Sequence, residues 1–379
     1  MHVHIIAFEI PYPANYGGAI DVFYSIMALR NAGVDITLHC FHKNTRKPHP
    51  ILRELCREVY YYERDMRVRN QFAIKPFSVM SRRSEDLIQN LLKDDDPILY
   101  ETLAVCHSLS DKRLANRLKV YRESNVEHDY YNGLARAEYD LMRKIYYRIE
   151  AIKNKWFEPQ IRHAQALAVV SLADDAYFKQ HYANVPCFFI PSFHEEIDEE
   201  PMLGTGDYVL YHGNLMVPEN EQAAQYVCCE IAPLLPDVRF VIAGLNPRDK
   251  LCRLIDKQDN VQLVKSPEQS EMEHLIRNAH INLLLTFQST GIKLKLLNTM
   301  RQGRHIVANR QMLCGTGMDA LCHQANTIEE QVQTIAQLMK KPFTKAESHS
   351  RTNILKSYSN EALTQQLLSL LHQGSCDQS

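Results

Sequence analysis

Several patterns that define other classes of protein are missing from this 379-residue sequence. No uninterrupted apolar run approaches the ~18 residues that span a bilayer, and the start, "MHVHIIAF", has neither a basic n-region nor a small-residue cleavage site. The formal net charge is only -2, so no global field attracts nucleic acid. The ten cysteines include no C-x-x-C pair, which argues against structural zinc and disulfides and favours a reducing compartment. These absences predict a cytoplasmic protein without a nucleic-acid partner.

The motifs of several common enzyme classes are missing too. Glycine is scarce, with 13 residues, and no G-x-G-x-x-G follows the first predicted strand, which argues against a dinucleotide dehydrogenase. The chain also has no P-loop and no G-x-S-x-G nucleophile elbow. No C-x-x-C metal spacing occurs, and we expect no metal and no bound cofactor.

What is present is an alternation of strand and helix patterns. The strand pattern "VHIIAF" precedes a helical spacing of Ile20, Phe23, Ile26 and Leu29, which Gly33 ends before the strand "VDITLHCF". This is a β-α-β unit of about 40 residues, the usual form of a parallel crossover. The acidic stretch "HEEIDEEPMLGTGD" interrupts the alternation and predicts a linker.

After this stretch the alternation restarts with the strands "YVLYHGN", "VRFVIAG", "NVQLVK" and "INLLLTF". Continuous apolar runs of this kind are typical of parallel sheets that are covered on both faces. The sequence therefore predicts an α/β fold with two doubly wound parallel-sheet (Rossmann-like) domains facing a cleft. We predict residues 1–195 and 196–347 as the two domains, and residues 348–379 as a tail whose helix crosses back to the first domain.

Ligands of such sheets bind beyond the carboxyl ends of the strands. The residues found there are Gly17 and Gly18, Gly213 and Asn214, Lys265, and the stretch "STGIKLKLLNTM" from 289 to 300. A helix that begins near Ile292 presents its N–H groups and positive dipole end, and Gly291 lets an anion approach the backbone. Lys293 and Lys295 are two residues apart and cannot share a helix face. At least one of the two is therefore expected to be an ordinary surface residue, and Lys293, nearest the turn, is the predicted phosphate ligand.

In their order, the segments "PYPANYGGAIDVFYSIMALRNAGVDITL", "SNVEHDYY", "FFIPSF", "YHGN" and "TGIKLKLLNTMRQGRHIVAN" resemble the retaining GT-B glycosyltransferases of family 4. The resemblance covers nearly the whole chain. It implies an acceptor-binding first domain, a second domain that binds a nucleotide sugar, and chemistry without a metal.

The resemblance also implies roles for particular residues. The family's two donor-site glutamates, which have seven residues between them, correspond to Thr290 and Asn298, and Asn298 retains the capacity to hydrogen-bond ribose. A family histidine that reaches the donor sugar corresponds to Ser124. His128 is a candidate replacement, with Glu127 or Asp129 adjusting its charge; the alternative is a structural histidine in the first turn of a helix.

The helix "LMRKIYYRIEAIKNKWFE" carries an apolar stripe and a basic face. The stripe runs from Leu141 to Trp156 through Ile145, Ile149 and Ile152. One interpretation is a peripheral contact with the inner face of an anionic membrane. The other is a core-facing stripe with a solvated basic face.

The function that the resemblance implies is a hexosyltransferase of polysaccharide biosynthesis. It moves a sugar from a nucleotide-diphosphate donor to a glycan or lipid-linked acceptor. The missing glutamates and histidine leave a second hypothesis open, a GT-B pseudoenzyme that binds a nucleotide or partner without turnover. A nucleotide-sugar epimerase is a weaker third hypothesis.

Overall fold

The computed structural model describes residues 1–43, 45–196, 200–287 and 293–372. These residues form two compact units. The first unit contains residues 1–43, 45–196 and 358–372, and the second contains residues 200–287 and 293–357.

A seven-stranded sheet organises the first unit, and all its neighbouring strands are parallel, in the order β3-β2-β1-β4-β5-β6-β7. Its strands are β1 (His2–Ala7), β2 (Asp35–His42), β3 (Glu58–Glu63), β4 (Ile98–Glu101), β5 (Lys119–Glu123), β6 (Ala166–Val169) and β7 (Cys187–Phe189). Its helices are α1 (Gly17–Asn31), α2 (Pro50–Leu55), α3 (Phe77–Met80), α4 (Glu85–Leu91), α5 (Glu127–Ala137), α6 (Leu141–Phe157) and α7 (Leu172–His181).

The second unit has a six-stranded parallel sheet in the order β10-β9-β8-β11-β12-β13. Its strands are β8 (Tyr208–Gly213), β9 (Arg239–Gly244), β10 (Val261–Lys265), β11 (Ile281–Leu284), β12 (His305–Ala308) and β13 (His323–Gln324). Its helices are α8 (Pro218–Tyr226), α9 (Asp249–Ile255), α10 (Gln269–Asn278), α11 (Leu294–Gln302), α12 (Arg310–Leu313), α13 (Ile328–Leu338) and α14 (Lys345–Lys356).

The last helix of the described chain, α15 (Asn360–His372), belongs to the first unit. Its buried face joins the core formed by α1 and the strands β1 and β2, through Leu363, Leu367, Leu370 and Leu371. Short 3-10 turns lie at Val68–Phe72, Leu103–Ser108, Lys112–Leu114, Glu158–His163, Ala232–Leu234 and Asp319–Leu321, and a π-helical turn lies at Val227–Ile231.

The chain from Glu127 to His163 forms two helices, α5 and α6, and a 3-10 turn rather than one long helix. The break has a local cause: Asp140 caps α6, since its side chain accepts a hydrogen bond from the Arg143 N–H at 2.8 Å. A capping aspartate stabilises a new helix start better than it does a helix interior.

The predicted α/β class with two doubly wound sheets is confirmed, because both sheets are parallel and carry crossover helices. Among the described residues, the structure contains no helix with the length and apolar character needed to cross a membrane.

Candidate functional site

Each sheet has one point where the strand order reverses. In the first unit this point lies between β1 and β4, and in the second it lies between β8 and β11. Crevices at the carboxyl ends of such strand pairs are the usual ligand sites of doubly wound sheets. The side chains beyond these four strand ends are therefore the candidates for binding and chemistry.

In the second unit, a lysine lies against the end of β8. The Lys295 ammonium is 3.4 Å from Asn220 Oδ1 and 5.3 Å from the centroid of the Tyr211 ring. A Cβ atom placed on Gly213 would lie 3.4 Å from the same nitrogen, so the absence of a side chain there leaves room beside the charge. Burial lowers the pKa of Lys295 to about 8. Lys295 is therefore not an ordinary surface residue.

The other predicted residues of this loop are only partly within the described chain. Lys293 precedes α11 at its N-cap position and is half-buried. Asn298 is half-buried on α11, and its buried Oδ1 has no hydrogen-bond partner among the described residues. Thr290, Gly291 and Ile292 lie outside the described residues. An unsatisfied buried acceptor costs free energy unless a ligand supplies a donor.

The end of β11 is tied to the start of α8 by a glutamate that the sequence analysis did not single out. The Glu219 carboxylate accepts hydrogen bonds from the Thr286 hydroxyl and from the Phe287 N–H, the latter at 3.2 Å. Its negative charge also favours the charged form of Lys295. The signal in the sequence was the acidic "PENE" directly after the strand "YVLYHGN", in the first turn of a helix.

Two further predicted donor residues differ in their placement. Asn214 is exposed directly after β8, where its Oδ1 accepts a hydrogen bond from the Met216 N–H at 3.1 Å. Lys265 is the exposed last residue of β10, the edge strand two positions away from β8. The structure thus groups Gly213, Asn214 and Lys295 and leaves Lys265 apart from them.

In the first unit, Gly17 and Gly18 are the first two residues of α1. A Cβ atom on Gly18 would lie 2.9 Å from Cζ of Phe8, so a larger residue there would have to displace the Phe8 ring. The Phe8 carbonyl accepts a hydrogen bond from Arg82 Nε at 2.7 Å. Burial, together with the neighbouring Arg64, lowers the pKa of Arg82 to about 9.

The predicted catalytic residues follow β5. Burial raises the pKa of Glu127 to about 7, and the charge of Arg82 opposes the shift. Its neighbour Glu123 also has a raised pKa, because it is buried close to the Glu127 carboxylate. Ser124 is half-buried, and its hydroxyl accepts a hydrogen bond from Asn125 Nδ2 at 3.3 Å. A carboxyl group with a pKa near neutrality is typical of acid–base positions.

His128 is held in the interior of the first unit. Its Nδ1 is 3.0 Å from Glu158 Oε2, and the other oxygen of Glu158 accepts hydrogen bonds from the hydroxyls of Tyr177 at 2.6 Å and Tyr182 at 2.8 Å. This placement favours the structural alternative for His128. Of the three predicted catalytic residues, Glu127 has the electrostatics best suited to proton exchange.

A buried ion pair underlies the first-unit site. Arg122, only 1% exposed, donates to Asp21 Oδ1 at 2.9 Å and to the Pro191 carbonyl at 3.0 Å. Glu101, at the end of β4, lies 4.0 Å from Arg122, and its burial raises its pKa to about 8. These contacts indicate that Arg122 fixes strand ends rather than offering its charge to a ligand.

Comparisons with known proteins agree with this geometry. Residues 206–341 match the family described as "Glycosyl transferases group 1". An "Uncharacterized 44.6 kDa protein in cps region" from Klebsiella pneumoniae is 26% identical over 330 residues, which are 83% of this chain and 84% of that protein.

Solved structures match over nearly the whole length of the chain. Anabaena HepE, crystallised with UDP and glucose, has a TM-score of 0.66 at 13% identity and covers 98% of this chain and 100% of its own. S. aureus TarM has a TM-score of 0.69 at 10% identity, with 98% of each chain covered. At these identities the structural likeness establishes the fold. It confirms the predicted GT-B fold, and the match of residues 206–341 to the glycosyl transferases group 1 agrees with the prediction of a glycosyltransferase.

Proposed function

We propose that the enzyme transfers a sugar from a nucleotide-diphosphate donor to a glycan or lipid-linked acceptor, with retention and without a catalytic metal. One observation carries the proposal: the partly desolvated Lys295 ammonium lies beside Gly213 at the switch point of the second sheet. A positive charge held there is suited to the diphosphate of a donor. HepE, which shares the fold, was crystallised with UDP and glucose, and this favours a UDP-sugar.

The donor is held by charge on its phosphates and by hydrogen bonds to its ribose. Lys295 and Lys293 provide positive charge near the start of α11, where the helix dipole adds to it. The unpaired Oδ1 of Asn298 accepts from a ribose hydroxyl. In this arrangement lysine charge stabilises the leaving diphosphate, as a metal ion does in other transferases.

The acceptor site is proposed to be cationic. Arg64 donates to Ser81 Oγ at 2.8 Å, and its charge adds to burial in lowering the pKa of Arg82. Burial, together with the charges of these two arginines, lowers the pKa of Lys43. Three cations gathered at the carboxyl edge of the first sheet are suited to a phosphate-bearing acceptor, such as a lipid-linked one. Glu127, with its pKa near 7, is the proposed proton-exchanging group beside them.

Peripheral membrane contact is part of this proposal. The apolar stripe of α6 does not face the core: Leu141 is 68% exposed and Trp156 71% exposed, whereas the helix buries Ala151, Asn154 and Phe157. The core-facing interpretation of the stripe is therefore wrong.

A second exposed segment adjoins α6. Lys153 Nζ donates to the Gln71 carbonyl at 2.6 Å, which places the helix beside the turn that carries Phe72, 84% exposed, and Ile74, 81% exposed. Exposed apolar side chains interspersed with basic residues are the pattern of interfacial helices on anionic bilayers.

Donor binding is tested by thermal shift with UDP, GDP, dTDP and CMP, followed by transfer and hydrolysis assays with the matching sugar nucleotides. A ligand at ~100 times its Kd stabilises by ~2.7 kcal/mol, which a melting curve detects. Failure of all four nucleotides would refute the donor site. Binding without transfer or hydrolysis would favour the pseudoenzyme hypothesis, which is open because Asn298 stands where the family has a glutamate.

Membrane contact is tested by flotation with phosphatidylglycerol-containing vesicles. Replacing Ile145 and Trp156 by serine removes two apolar anchors and should weaken binding at least tenfold, at about 1.5–3 kcal/mol for each buried side chain. Leu234→Ser, at a residue 57% exposed in the second unit, is the matched control and should bind like wild type. Equal binding by all three proteins would rule out this surface.

A further inference from the structure

Two histidines at the start of β1 face two aspartates from the segment that precedes β4. His2 Nδ1 lies 2.7 Å from Asp96 Oδ2, and His4 Nε2 lies 2.9 Å from Asp94 Oδ1. All four ligand-capable atoms lie within 4.8 Å of one another. These residues are at the amino end of β1, away from the strand ends of the candidate transfer site.

The remaining ring nitrogens of both histidines already have partners. His2 Nε2 lies 2.8 Å from the Thr37 hydroxyl oxygen, and His4 Nδ1 lies 2.9 Å from His39 Nε2. His39 Nδ1 in turn lies 2.9 Å from the Tyr62 hydroxyl. A metal-binding histidine almost always uses its second nitrogen in this way, since that bond fixes the ring and its tautomer. The partners of such a site are therefore in place for both imidazoles.

We propose that His2, His4, Asp94 and Asp96 bind one zinc ion. Two imidazoles and two carboxylates make a tetrahedral set suited to zinc, whereas calcium and magnesium prefer sets made of oxygen alone. Zinc–ligand distances of ~2.0–2.1 Å place the ligand atoms roughly 3.4 Å apart in a tetrahedron. The two hydrogen-bonded pairs need to open only slightly from 2.7 and 2.9 Å to admit the ion.

The charge around the cluster also suits a cation. Arg117 Nη2 lies 3.1 Å from Asp94 Oδ1 and balances one of the two carboxylates, so that one negative charge remains. Zinc held there ties the start of β1 to the segment before β4 and takes no part in sugar transfer. The spacing rules did not predict the site, because its H-x-H and D-x-D pairs are about 90 residues apart.

A second group of possible ligands provides the comparison. His305, His323 and Glu347 also have ligand atoms within 4.8 Å of one another. There, however, the Lys341 ammonium lies 2.8 Å from the Glu347 carboxylate. The single carboxylate of this group is thus already paired with a positive charge, whereas the first group has a second carboxylate, Asp96, beside the one paired with Arg117.

The test is isothermal titration of the full-length, untagged, metal-stripped protein with zinc chloride. We expect one zinc ion per wild-type chain. The double variant His2→Gln, Asp96→Asn should bind zinc more than hundredfold more weakly, since losing a hydrogen-bond partner of a ligand alone costs about 10- to 100-fold. Thr37→Val removes only the hydrogen-bond partner of His2 and should weaken zinc binding by about 10- to 100-fold. His323→Gln should bind like wild type.

Both substituted side chains of the double variant are partly exposed, at 15% for His2 and 39% for Asp96, so the variant is expected to fold, as circular dichroism would show. If the double variant does not fold, the single variant Asp96→Asn replaces it in the titration, and this variant should also bind zinc more weakly than wild type. Cobalt(II) bound in place of zinc should give the intense visible bands of a tetrahedral site, and histidine ¹⁵N spectra should show the Nδ1–H tautomer of His4. Absence of zinc binding in the wild type, unchanged affinity in the variant, or loss of binding in His323→Gln would overturn the proposal. None of these results depends on donor binding or transfer.

Discussion

Replacing Lys295 by methionine tests the central element of the donor site. Methionine keeps the length and apolar stem of the side chain that lies over Tyr211, and it removes the charge beside Gly213. A charge-assisted contact with phosphate is worth about 1.5–3 kcal/mol. We therefore expect roughly a tenfold to hundredfold loss of affinity for the nucleoside diphosphate. Affinity for the nucleoside alone should not change, because it carries no phosphate.

The assay is isothermal titration with UDP and with uridine, or with whichever nucleotide of the thermal-shift panel binds. Lys265→Met is the matched control: Lys265 is exposed at the sheet edge, so its loss should change diphosphate affinity less than twofold. Lys293→Met measures the contribution of the lysine predicted from the sequence. A folded Lys295→Met protein that binds the diphosphate as tightly as wild type would refute the role given to this lysine.

Three further predictions follow from the same contacts. Because burial lowers the pKa of Lys295 to about 8, affinity for the diphosphate should fall as the pH rises through about 8. Lys295→Arg should remove this pH dependence. An affinity of the wild-type protein that stays constant in titrations from about pH 7 to 9 would contradict the prediction. A Cβ on Gly244 would lie 1.9 Å from the Gly213 carbonyl oxygen, so Gly244→Ala should lower the free energy of unfolding by about 3 kcal/mol, and an unchanged urea midpoint would disprove this close approach. Asp21→Ala leaves the buried Arg122 without its carboxylate and should cost about 3–5 kcal/mol in urea unfolding, whereas a loss under ~1 kcal/mol would show that the pair is not structural.

The order of the strands and helices was readable because their apolar patterns are local. Continuous apolar runs such as "INLLLTF" have no polar face and fit only a buried parallel strand. The strand "EVYYYE", now β3, was missed for the opposite reason. It is an edge strand whose Val59, Tyr60 and Tyr61 are half-buried and whose Tyr62 is buried, so it lacks the continuous apolar run of a central strand.

The sequence by itself determined the α/β class, the GT-B resemblance and the strand ends near which a donor would bind. Only the tertiary structure decided which side chains meet there. Periodicity shows that α6 is amphipathic, but the packing of Ala151 and Phe157 decided that its apolar stripe faces outward. The spacing of Lys293 and Lys295 shows that they lie on different faces of a helix. Only the position of α11 beside β8 gave Lys295 its contacts with Asn220 and Tyr211. The physical reason is that local propensity depends on neighbours along the chain, whereas desolvation and charge pairing depend on neighbours in space that the sequence separates by tens of residues.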